Sequence, residues 1–376
     1  MLIDARQHVL GSAAAALEVS RPHPGWSEQR PQDWCTATTA ALDRLKSEHG
    51  KEMAAVTGIG LSGQMHGATL LDADDNALRP AILWNDGRSH AQARALDQGE
   101  PRFRSLGGNV VMPGFTAPKL AWVAKHEPEV FARIKKVLLP KDYVRLWLTG
   151  EYASDMSDAA GTLWMDVAKR DWSDALLAAT NLDRSHMPKL YEGSAATGRL
   201  RDEVAKAWGM PLQPVVAGGG GDNPASACGI GAVKDEAAFL SVGTSGVFFV
   251  SNARFSPNAD RAIHAFCHAV PGAWHQMGVH LSAAGSLEWL AGILKKPVPD
   301  LLKALGDTVE GPASALFLPY LSGERTPVAE ELKKFTILFD CATNRIFEEA
   351  SYKYVFRTTT MATQENVAAA RYIVEN

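Results

Sequence analysis

The sequence predicts a two-domain α/β protein, and three observations support this fold class. The chain has 376 residues, whereas a single domain usually has about 50 to 200. Short apolar runs of strand length alternate with longer stretches of helical periodicity. Several of the apolar runs end in glycine followed by polar side chains, as at the ligand-binding edge of an α/β sheet.

Composition excludes several classes of function. The chain is 46% hydrophobic and 21% charged with a formal net charge of -4, so it has the composition of a globular protein and no basic field for nucleic acid. No continuous apolar run of about 18 residues predicts a membrane helix, and the N-terminus lacks the pattern of a secretory signal. The four cysteines (Cys35, Cys228, Cys267 and Cys341) are scattered, which predicts reduced thiols and a cytoplasmic location.

The elements of the first half follow from apolar runs and proline positions. We predict strands at 1–4, 15–19, 54–59, 68–71 and 79–84. Pro31 opens a helix to about residue 47, because proline at the first helical position sacrifices no hydrogen bond. Further helices are predicted from about Ser89, from Pro118, at 130–137, after Lys141 and at 173–179.

The second half is predicted from the same signals. Strands are expected at 264–268, 274–277 and 317–325, and Ser282 is expected to cap an amphipathic helix carrying Leu287, Leu290 and Leu294. After Gly323 the chain has neither glycine nor tryptophan. Residues from about Val328 onward therefore form a different kind of sequence, with no chemical motif.

The most pointed stretch is residues 215–250. Its first part is an apolar run, Val215–Ala217, followed by four glycines and then Asp222-Asn223. Because glycine has no Cβ, a carboxylate delivered this way can approach a ligand closely. Glycine runs before aspartate are more often plain turns, so this motif alone does not decide for a catalytic base.

The second part of that stretch is Leu240-Ser241-Val242-Gly243-Thr244-Ser245-Gly246. A glycine and hydroxyl turn between strands presents N–H groups that suit phosphate oxygens, although such a turn is more often an ordinary hairpin. The two parts lie about twenty residues apart, and the pair is more specific than either alone.

Other candidates are weaker when taken singly. Met65-His66 follows a predicted strand inside a glycine-bracketed segment, but a lone histidine is more often structural. Asn85–Arg88 can bind a polyol or cap a helix. Lys119 is interpreted as a solvated side chain rather than a catalytic one. The three histidines His264, His268 and His275 lack cysteine or carboxylate partners at ligand spacing, so we predict no metal held by them.

Eight segments together resemble a known family. They are GQMHG, LWNDGR, MPGFTAPKLAWVAKHEPEVF, LLPKDY, SDMSDAAGT, AGGGGDN, LSVGTSG and FLPYLSGERTP. In this order they are similar to the FGGY carbohydrate kinases, a family that also holds glycerol and gluconate kinases, and QMHG indicates the bacterial xylulokinase branch. The resemblance extends from residue 1 to about residue 327.

The resemblance implies an actin-like (ribonuclease H-like) fold with two domains around a cleft, and phosphorylation of D-xylulose to xylulose 5-phosphate by ATP with Mg²⁺. It implies Asp222 as the proton acceptor. It also implies that Met65, His66 and Asn223 bind the ketose, and that Gly243, Thr244 and Ser245 meet the nucleotide phosphates. D-xylulose and ATP are then the expected partners, without nucleic acid or membrane, and a homodimer is an open alternative for the assembly.

The chain departs from the family pattern at both ends. The match begins after the first strand and phosphate loop, and an unrelated sequence follows Pro327. We therefore expect an N-terminal sugar-kinase domain at 1–226, an incomplete nucleotide-binding domain at 227–327, and an unrelated tail at 328–376, with weak or absent ATP turnover. Two alternatives stay open, a kinase for another ketose or polyol and a non-catalytic remnant. A fourth glycine before Asp222 either displaces the base or is absorbed in the turn.

Overall fold

The computed structural model describes residues 1–306, Leu321 and Thr326. The strand predicted at 317–325, apart from Leu321, and the tail predicted at 328–376 lie outside the described residues. Two compact units are present. The first comprises Met1–Ala237, Val250–Pro257 and Ala265–Gln276, and the second comprises Ala238–Phe249, Asn258–His264 and the described residues from Met277 onward. The predicted domain boundary after residue 226 stays a prediction.

The strands are short. They are β1 (Leu2–Ile3), β2 (Val9–Gly11), β3 (Glu28–Gln29), β4 (Gly58–Ile59), β5 (Ser62–Gly63), β6 (Thr69–Leu71), β7 (Ala81–Ile82), β8 (Lys136–Leu138), β9 (Ala153–Asp155), β10 (Met165–Asp166), β11 (Asp171–Trp172), β12 (Lys189–Tyr191), β13 (Ala196–Arg199), β14 (Val215–Ala217), β15 (Gly220–Gly221), β16 (Ala238–Val242), β17 (Gly246–Asn252), β18 (His264–Cys267) and β19 (Trp274–His280).

The α-helices are α1 (Pro31–Glu48), α2 (Gly50–Ala54), α3 (His90–Gly99), α4 (Arg102–Ser105), α5 (Thr116–His126), α6 (Pro128–Phe131), α7 (Pro140–Thr149), α8 (Met156–Ala160), α9 (Asp174–Ala178), α10 (Asp202–Trp208), α11 (Asp222–Ile230), α12 (Ala284–Leu294) and α13 (Val298–Ala304). Two 3₁₀ turns occur at Arg184–His186 and Ala259–Arg261. Within the described part of the chain, no helix combines the length and apolar character needed to cross a bilayer.

Sheet pairings in the first unit are mostly local pairs of strands. One sheet has three strands in the order β13-β14-β4, and the strand pair β15-β5 follows β14 and β4 along the chain. These two sheets position the site. Other pairings are β1-β2, β3-β7, β6-β8, β10-β11 and β12-β9, and four strands form one sheet in the order β16-β17-β19-β18. A hydrophobic core lies beside the β4-β14 pairing and contains Leu45, Met53, Leu148 and Trp208.

Proline begins helices α1 and α7, and glycine ends α7, at the positions where each residue is favoured. Pro31 and Pro140 each occupy the first turn of their helices, where the missing N–H removes no hydrogen bond. The last turn of α7 is closed by Gly150, whose φ of 82° is left-handed and is accessible to glycine at little cost. These two features confirm the predicted helices after residues 31 and 140.

Four element predictions were wrong. The second strand of the N-terminal hairpin is Val9–Gly11 rather than 15–19. Only Gly58–Ile59 of the strand predicted at 54–59 is extended, because α2 continues to Ala54 and buries Met53. Lys136–Leu138 pairs with Thr69–Leu71 and so ends the helix predicted at 130–137. The N-cap of α12 is Ala283 rather than Ser282.

Candidate active site

Two parallel strand pairings bring the predicted base and the predicted sugar-binding residues to one edge. Val215 and Val216 pair with Gly58 and Ile59. Further along, Gly220 pairs with Ser62 and Gly221 with Gly63. Parallel strands end at the same edge of a sheet. Gln64-Met65-His66 and Asp222 therefore leave neighbouring strands on the same side.

The four glycines before Asp222 have all their N–H groups satisfied. Those of Gly218, Gly219 and Gly220 donate to the carbonyl oxygens of Ala195, Gly193 and Leu61 at 2.8, 2.8 and 3.0 Å. The N–H of Gly221 donates to Ser157 Oγ at 3.2 Å. The glycines thus form a fully bonded connection from β14 to β15, and the fourth one is accommodated within it.

Close packing explains why these positions are glycine. A Cβ on Gly218 would lie 2.3 Å from the Glu192 carbonyl oxygen, and one on Gly219 would lie 2.1 Å from that of Leu61. A Cβ on Gly221 would lie 2.8 Å from Met65 Cγ. Separations below 3.0 Å are not reached by real Cβ atoms. Glycine at positions 218 and 219 is therefore a structural requirement for the path of the main chain from β14 towards Asp222.

Replacing Gly219 with alanine is expected to lower the free energy of unfolding by about 2 to 4 kcal/mol, because left-handed strain adds to overpacking. Gly219 has a φ of +76° and its Cβ would strike main chain. Gly231→Ala is the matched control, since Gly231 has a φ of +80° with nothing within 4 Å of its Cβ position. Urea unfolding of the two variants separates the cost of left-handed backbone strain, which both share, from the cost of steric overlap, which only Gly219→Ala has. Equal losses of unfolding free energy would contradict the packing explanation.

Asp222 is the first residue of α11 and is exposed. Its Oδ1 accepts hydrogen bonds from the N–H and the Nδ2 of Asn223 at 2.8 and 3.1 Å. Surrounding protein removes water from the carboxyl group and raises its pKa, and the hydrogen bonds from Asn223 oppose this rise. Solvent at its exposed surface limits the size of the rise. The carboxyl group is therefore accessible from solvent.

Met65 and His66 are both nearly buried, with 4% and 7% of their surfaces exposed. His66 has a left-handed φ of 69°, which is uncommon outside glycine. Its Nδ1 lies 2.7 Å from the carbonyl oxygen of Gly161, and its ring meets Phe115 edge-on at 4.8 Å between centroids. Because a carbonyl oxygen can only accept, Nδ1 carries the proton and Nε2 is the acceptor in the neutral ring.

Lys119 corrects one expectation. It was interpreted as solvated, but its exposed fraction is 0%. Its Nζ donates to the carbonyl oxygen of His66 at 2.8 Å, and Thr116 Oγ1 donates to the same oxygen at 3.1 Å. Helix α5 therefore holds the main chain of His66 in its left-handed conformation. No local sequence signal reveals this role, because Lys119 and His66 are far apart in the chain.

A buried set of charged residues lies beneath the glycine run. We call it the Lys141 cluster, and its members are Lys141, Asp142, Arg145, Asp155 and Asp158. Lys141 Nζ contacts Asp142, lies 3.0 Å from Asp155 Oδ1 and lies 3.6 Å from Asp158 Oδ2. Their side chains are at most 1% exposed. Three carboxyl groups face two cations, so one proton would make the cluster neutral.

The Lys141 cluster also touches the glycine run directly. Arg145 donates to the carbonyl oxygens of Ala217, at 2.8 Å, and of Gly218. Burial disfavours the charge of Lys141, but the three aspartates outweigh it and raise the pKa of the lysine. Asp155 also caps α8, by accepting from the N–H groups of Ser157 and Asp158.

Asp158 is a carboxyl group whose surroundings favour a bound proton. Burial raises the pKa of its carboxyl group well above the ordinary value, Lys141 opposes the rise, and the charges of Asp142, Asp155 and Asp222 add to it. Neither carboxyl oxygen has a hydrogen-bond partner within the described residues. A buried carboxyl group without donors favours its neutral form.

The Gly243–Ser245 turn belongs to the second unit and is described there by itself. It joins β16 to β17, with Gly243 and Thr244 exposed and Ser245 partly buried. The carbonyl oxygens of Gly243 and Thr244 accept from the N–H groups of Ala284 and Ala283, at 2.9 and 2.8 Å. The turn is thus fixed to the start of α12, and its hydroxyl groups suit phosphate oxygens.

The model of the FGGY family of carbohydrate kinases, N-terminal domain, matches residues 1–229. The chain belongs to the FGGY family of carbohydrate kinases. Its similar relatives include the xylulose kinase of Escherichia coli strain K12, with 55% identity over 87% of this chain and 67% of the relative. The xylulose kinase of Klebsiella pneumoniae is 53% identical over the same shares.

Solved structures agree with FGGY membership. The chain superposes on a xyloylose kinase from Brucella ovis with a TM-score of 0.85 and 58% identity, over 87% of this chain and 67% of that one. A xylulose kinase from Rhodospirillum rubrum gives a TM-score of 0.77 and 29% identity, over 83% and 65%. The fold is therefore the actin-like fold of the sugar kinases, as the resemblance implied.

In this FGGY chain, Asp86 and Arg88 make structural contacts. Asp86 accepts from the N–H of Ser27 at 2.6 Å and pairs with Arg88. Arg88 also pairs with Glu28, and its guanidinium lies 3.6 Å over the ring of Trp26. The N-cap of α3 is Ser89, so the helix-cap alternative for Asn85–Arg88 was wrong, and the polyol-binding alternative stays a prediction. The side chains of Met65, His66, Asp222 and Asn223 form the candidate sugar site.

Proposed function

We propose that the chain phosphorylates the terminal hydroxyl group of D-xylulose with ATP to give xylulose 5-phosphate. One observation carries the proposal: the parallel pairing of β15 with β5 brings Asp222 and the segment Met65-His66 to the same edge, with Gly221 against the Met65 side chain. The xylulose kinases named above support the choice of sugar. The activity is attributed to this chain as a proposal, because it matches 67% of the length of the Escherichia coli relative.

Asp222 acts as the general base in this proposal. Asn223 donates twice to Oδ1, so Oδ2 is the oxygen that receives the proton of the sugar hydroxyl. The hydroxyl oxygen then forms a bond to the γ-phosphorus as the bond to the leaving ADP oxygen breaks. Phosphoryl transfer needs alignment and charge stabilisation more than covalent chemistry from the protein.

Met65 and His66 orient the sugar. The bond between His66 Nδ1 and the Gly161 carbonyl oxygen fixes the orientation of the ring. The contacts from Lys119 and Thr116 to the His66 carbonyl oxygen keep this orientation before the sugar arrives. Preorganisation of this kind lowers the entropic cost of binding.

Gly243, Thr244 and Ser245 are proposed to contact the nucleotide phosphates through N–H and hydroxyl groups. When bound with ATP, Mg²⁺ would neutralise phosphate charge in the transition state. A homodimeric assembly and a cytoplasmic location stay predictions.

Calorimetry and a coupled kinase assay test this function. We expect the full chain to bind D-xylulose more tightly than ribulose, gluconate or glycerol. ATP turnover is expected to be weak, and any release of ADP is expected to require D-xylulose. Binding is measured without ATP, so it reports on the sugar site alone. Preference for another ketose or polyol would replace the substrate, and absence of binding to all four would make the chain a non-catalytic remnant.

A further inference from the structure

The hydroxyl group of Ser157 lies between the Lys141 cluster and the residue before the base. Asp155 Oδ1 is 3.0 Å from Lys141 Nζ, and Asp155 Oδ2 accepts the hydroxyl proton of Ser157. A serine hydroxyl has one proton and two lone pairs. With its proton given to Asp155, Ser157 Oγ is fixed as an acceptor, and it accepts from the N–H of Gly221 at 3.2 Å.

Gly221 is the point at which strand becomes helix. It ends β15 and is the N-cap of α11, whose first residue is Asp222. Gly221 is buried, so its N–H would lose its partner without Ser157. At the start of the same glycine run, Arg145 donates hydrogen bonds to the carbonyl oxygens of Ala217 and Gly218. The buried Arg145 therefore fixes the first residues of the run, and Ser157 fixes its last residue.

We propose that Ser157 is a positioning residue for the phosphoryl-transfer base, acting through the Gly221 N–H and held in its acceptor orientation by Asp155 and Lys141. This inference rests on the proposed function. Ser157 does not touch the reacting atoms, and it fixes the direction in which Asp222 leaves the strand. Small displacements of a catalytic group cost large factors in rate, so one buried hydrogen bond can matter to the chemistry.

The test compares Ser157→Ala, Ser157→Thr and Ser89→Ala. Ser157→Thr keeps the hydroxyl group. Ser89 is a buried serine that donates to the carbonyl oxygen of Pro113 at 3.0 Å, so Ser89→Ala controls for the loss of any buried serine bond. Two quantities are measured in the full chain, namely amide exchange at Gly221 and the pH profile of D-xylulose affinity. Affinity should fall as Asp222 is protonated, and Asp222→Asn should flatten the profile.

In Ser157→Ala we expect faster exchange of the Gly221 amide. The affinity for D-xylulose should weaken about 2- to 10-fold, as for the loss of one hydrogen bond. The midpoint of the pH profile of this affinity should move to lower pH. The midpoint moves down because a looser turn exposes the partly desolvated carboxyl group of Asp222 to more water. Ser157→Thr should restore the midpoint, and Ser89→Ala should not move it. A general loss of stability would not shift the midpoint of the pH profile, so Ser157→Thr would then have no shift to reverse.

Unchanged Gly221 exchange in Ser157→Ala overturns the inference whatever the sugar does. An unchanged pH profile, in a chain that binds D-xylulose, overturns it as well. If the parent chain binds no D-xylulose, the proposed function fails by itself, and the exchange rate of the Gly221 amide then decides whether Ser157 holds this turn.

Discussion

Replacing Asp222 with asparagine is expected to lower D-xylulose-dependent ADP release by about 10²- to 10⁴-fold, the usual contribution of a general base. Asparagine has the same shape and can still accept from Asn223 at the position of Oδ1. The KM for the sugar should change much less than kcat, because the lost interaction develops in the transition state.

The pH dependence of the parent chain follows from the pKa of Asp222. Partial removal of water by the surrounding protein raises this pKa, and the base works in its deprotonated form. Activity should therefore fall as the pH falls through this raised pKa, at a higher pH than for an ordinary aspartate. The asparagine variant should lack this acid limb.

Stability separates the catalytic effect from unfolding. Desolvation disfavours the charged carboxylate in the folded state, so Asp222→Asn should unfold at the same urea concentration as the parent or at a higher one. Asp74→Asn, in an exposed turn between β6 and β7, is the matched substitution that should leave the rate unchanged. Residual activity of Asp222→Asn within about threefold of the parent would remove Asp222 from the role of base.

Replacing Lys141 with methionine is expected to lower the free energy of unfolding by about 3 to 5 kcal/mol at pH 7, because it leaves buried carboxylates without their ammonium partner. The three aspartates around Lys141 are fully buried. The loss should shrink at acid pH, where the carboxyl groups can be protonated. Urea unfolding followed by tryptophan fluorescence at several pH values measures both effects.

Asp158→Asn is the matched substitution within the Lys141 cluster. Unlike Lys141→Met, it is expected not to lower the free energy of unfolding at pH 7. A carboxyl group whose pKa is raised in the folded state binds its proton more tightly there than in the unfolded chain. Its contribution to stability is therefore present below the ordinary aspartate pKa and is lost as the pH rises through the folded pKa. Asparagine is neutral throughout, so the variant should equal the parent at low pH and equal or exceed its stability above pH 7.

These two substitutions together test the charge balance of the Lys141 cluster. A loss below about 1 kcal/mol in Lys141→Met would show that the buried pairing is weak. A loss in Asp158→Asn as large as that in Lys141→Met would show that Asp158 is charged. Either result would contradict a cluster that carries one proton.

The placement of Asp222 directly after a glycine run could be predicted because its signal is local, whereas its role as the base stays a prediction. Four glycines followed by Asp222 mark a close approach of main chain, and Met65-His66 sits at a strand end by the same logic. The family resemblance then gave the fold. The sugar-contacting and phosphate-contacting roles of these residues stay predictions, although the structure brings Asp222, Met65 and His66 to one edge.

The supporting contacts could not be predicted, because they join distant segments. Lys119 looks like a surface lysine, yet it holds the carbonyl oxygen of His66. Ser157 lies in a stretch of helix-cap residues, and its bond to Gly221 spans 64 positions of the chain. Strand errors have a similar cause. Val137 is in a strand because Leu70 pairs with it, and helical periodicity alone does not show a partner.

The parallel pairing of β4 with β14 also constrains how the protein is made. Gly58 and Ile59 must wait for Val215 and Val216, which are about 150 residues further along the chain. At about 5 to 20 residues per second, this delay lasts roughly 8 to 30 s of synthesis. Such non-local contacts form slowly. The edge that carries Met65 and His66 is therefore completed late on the ribosome, and the proposed sugar site is incomplete until the glycine run has emerged.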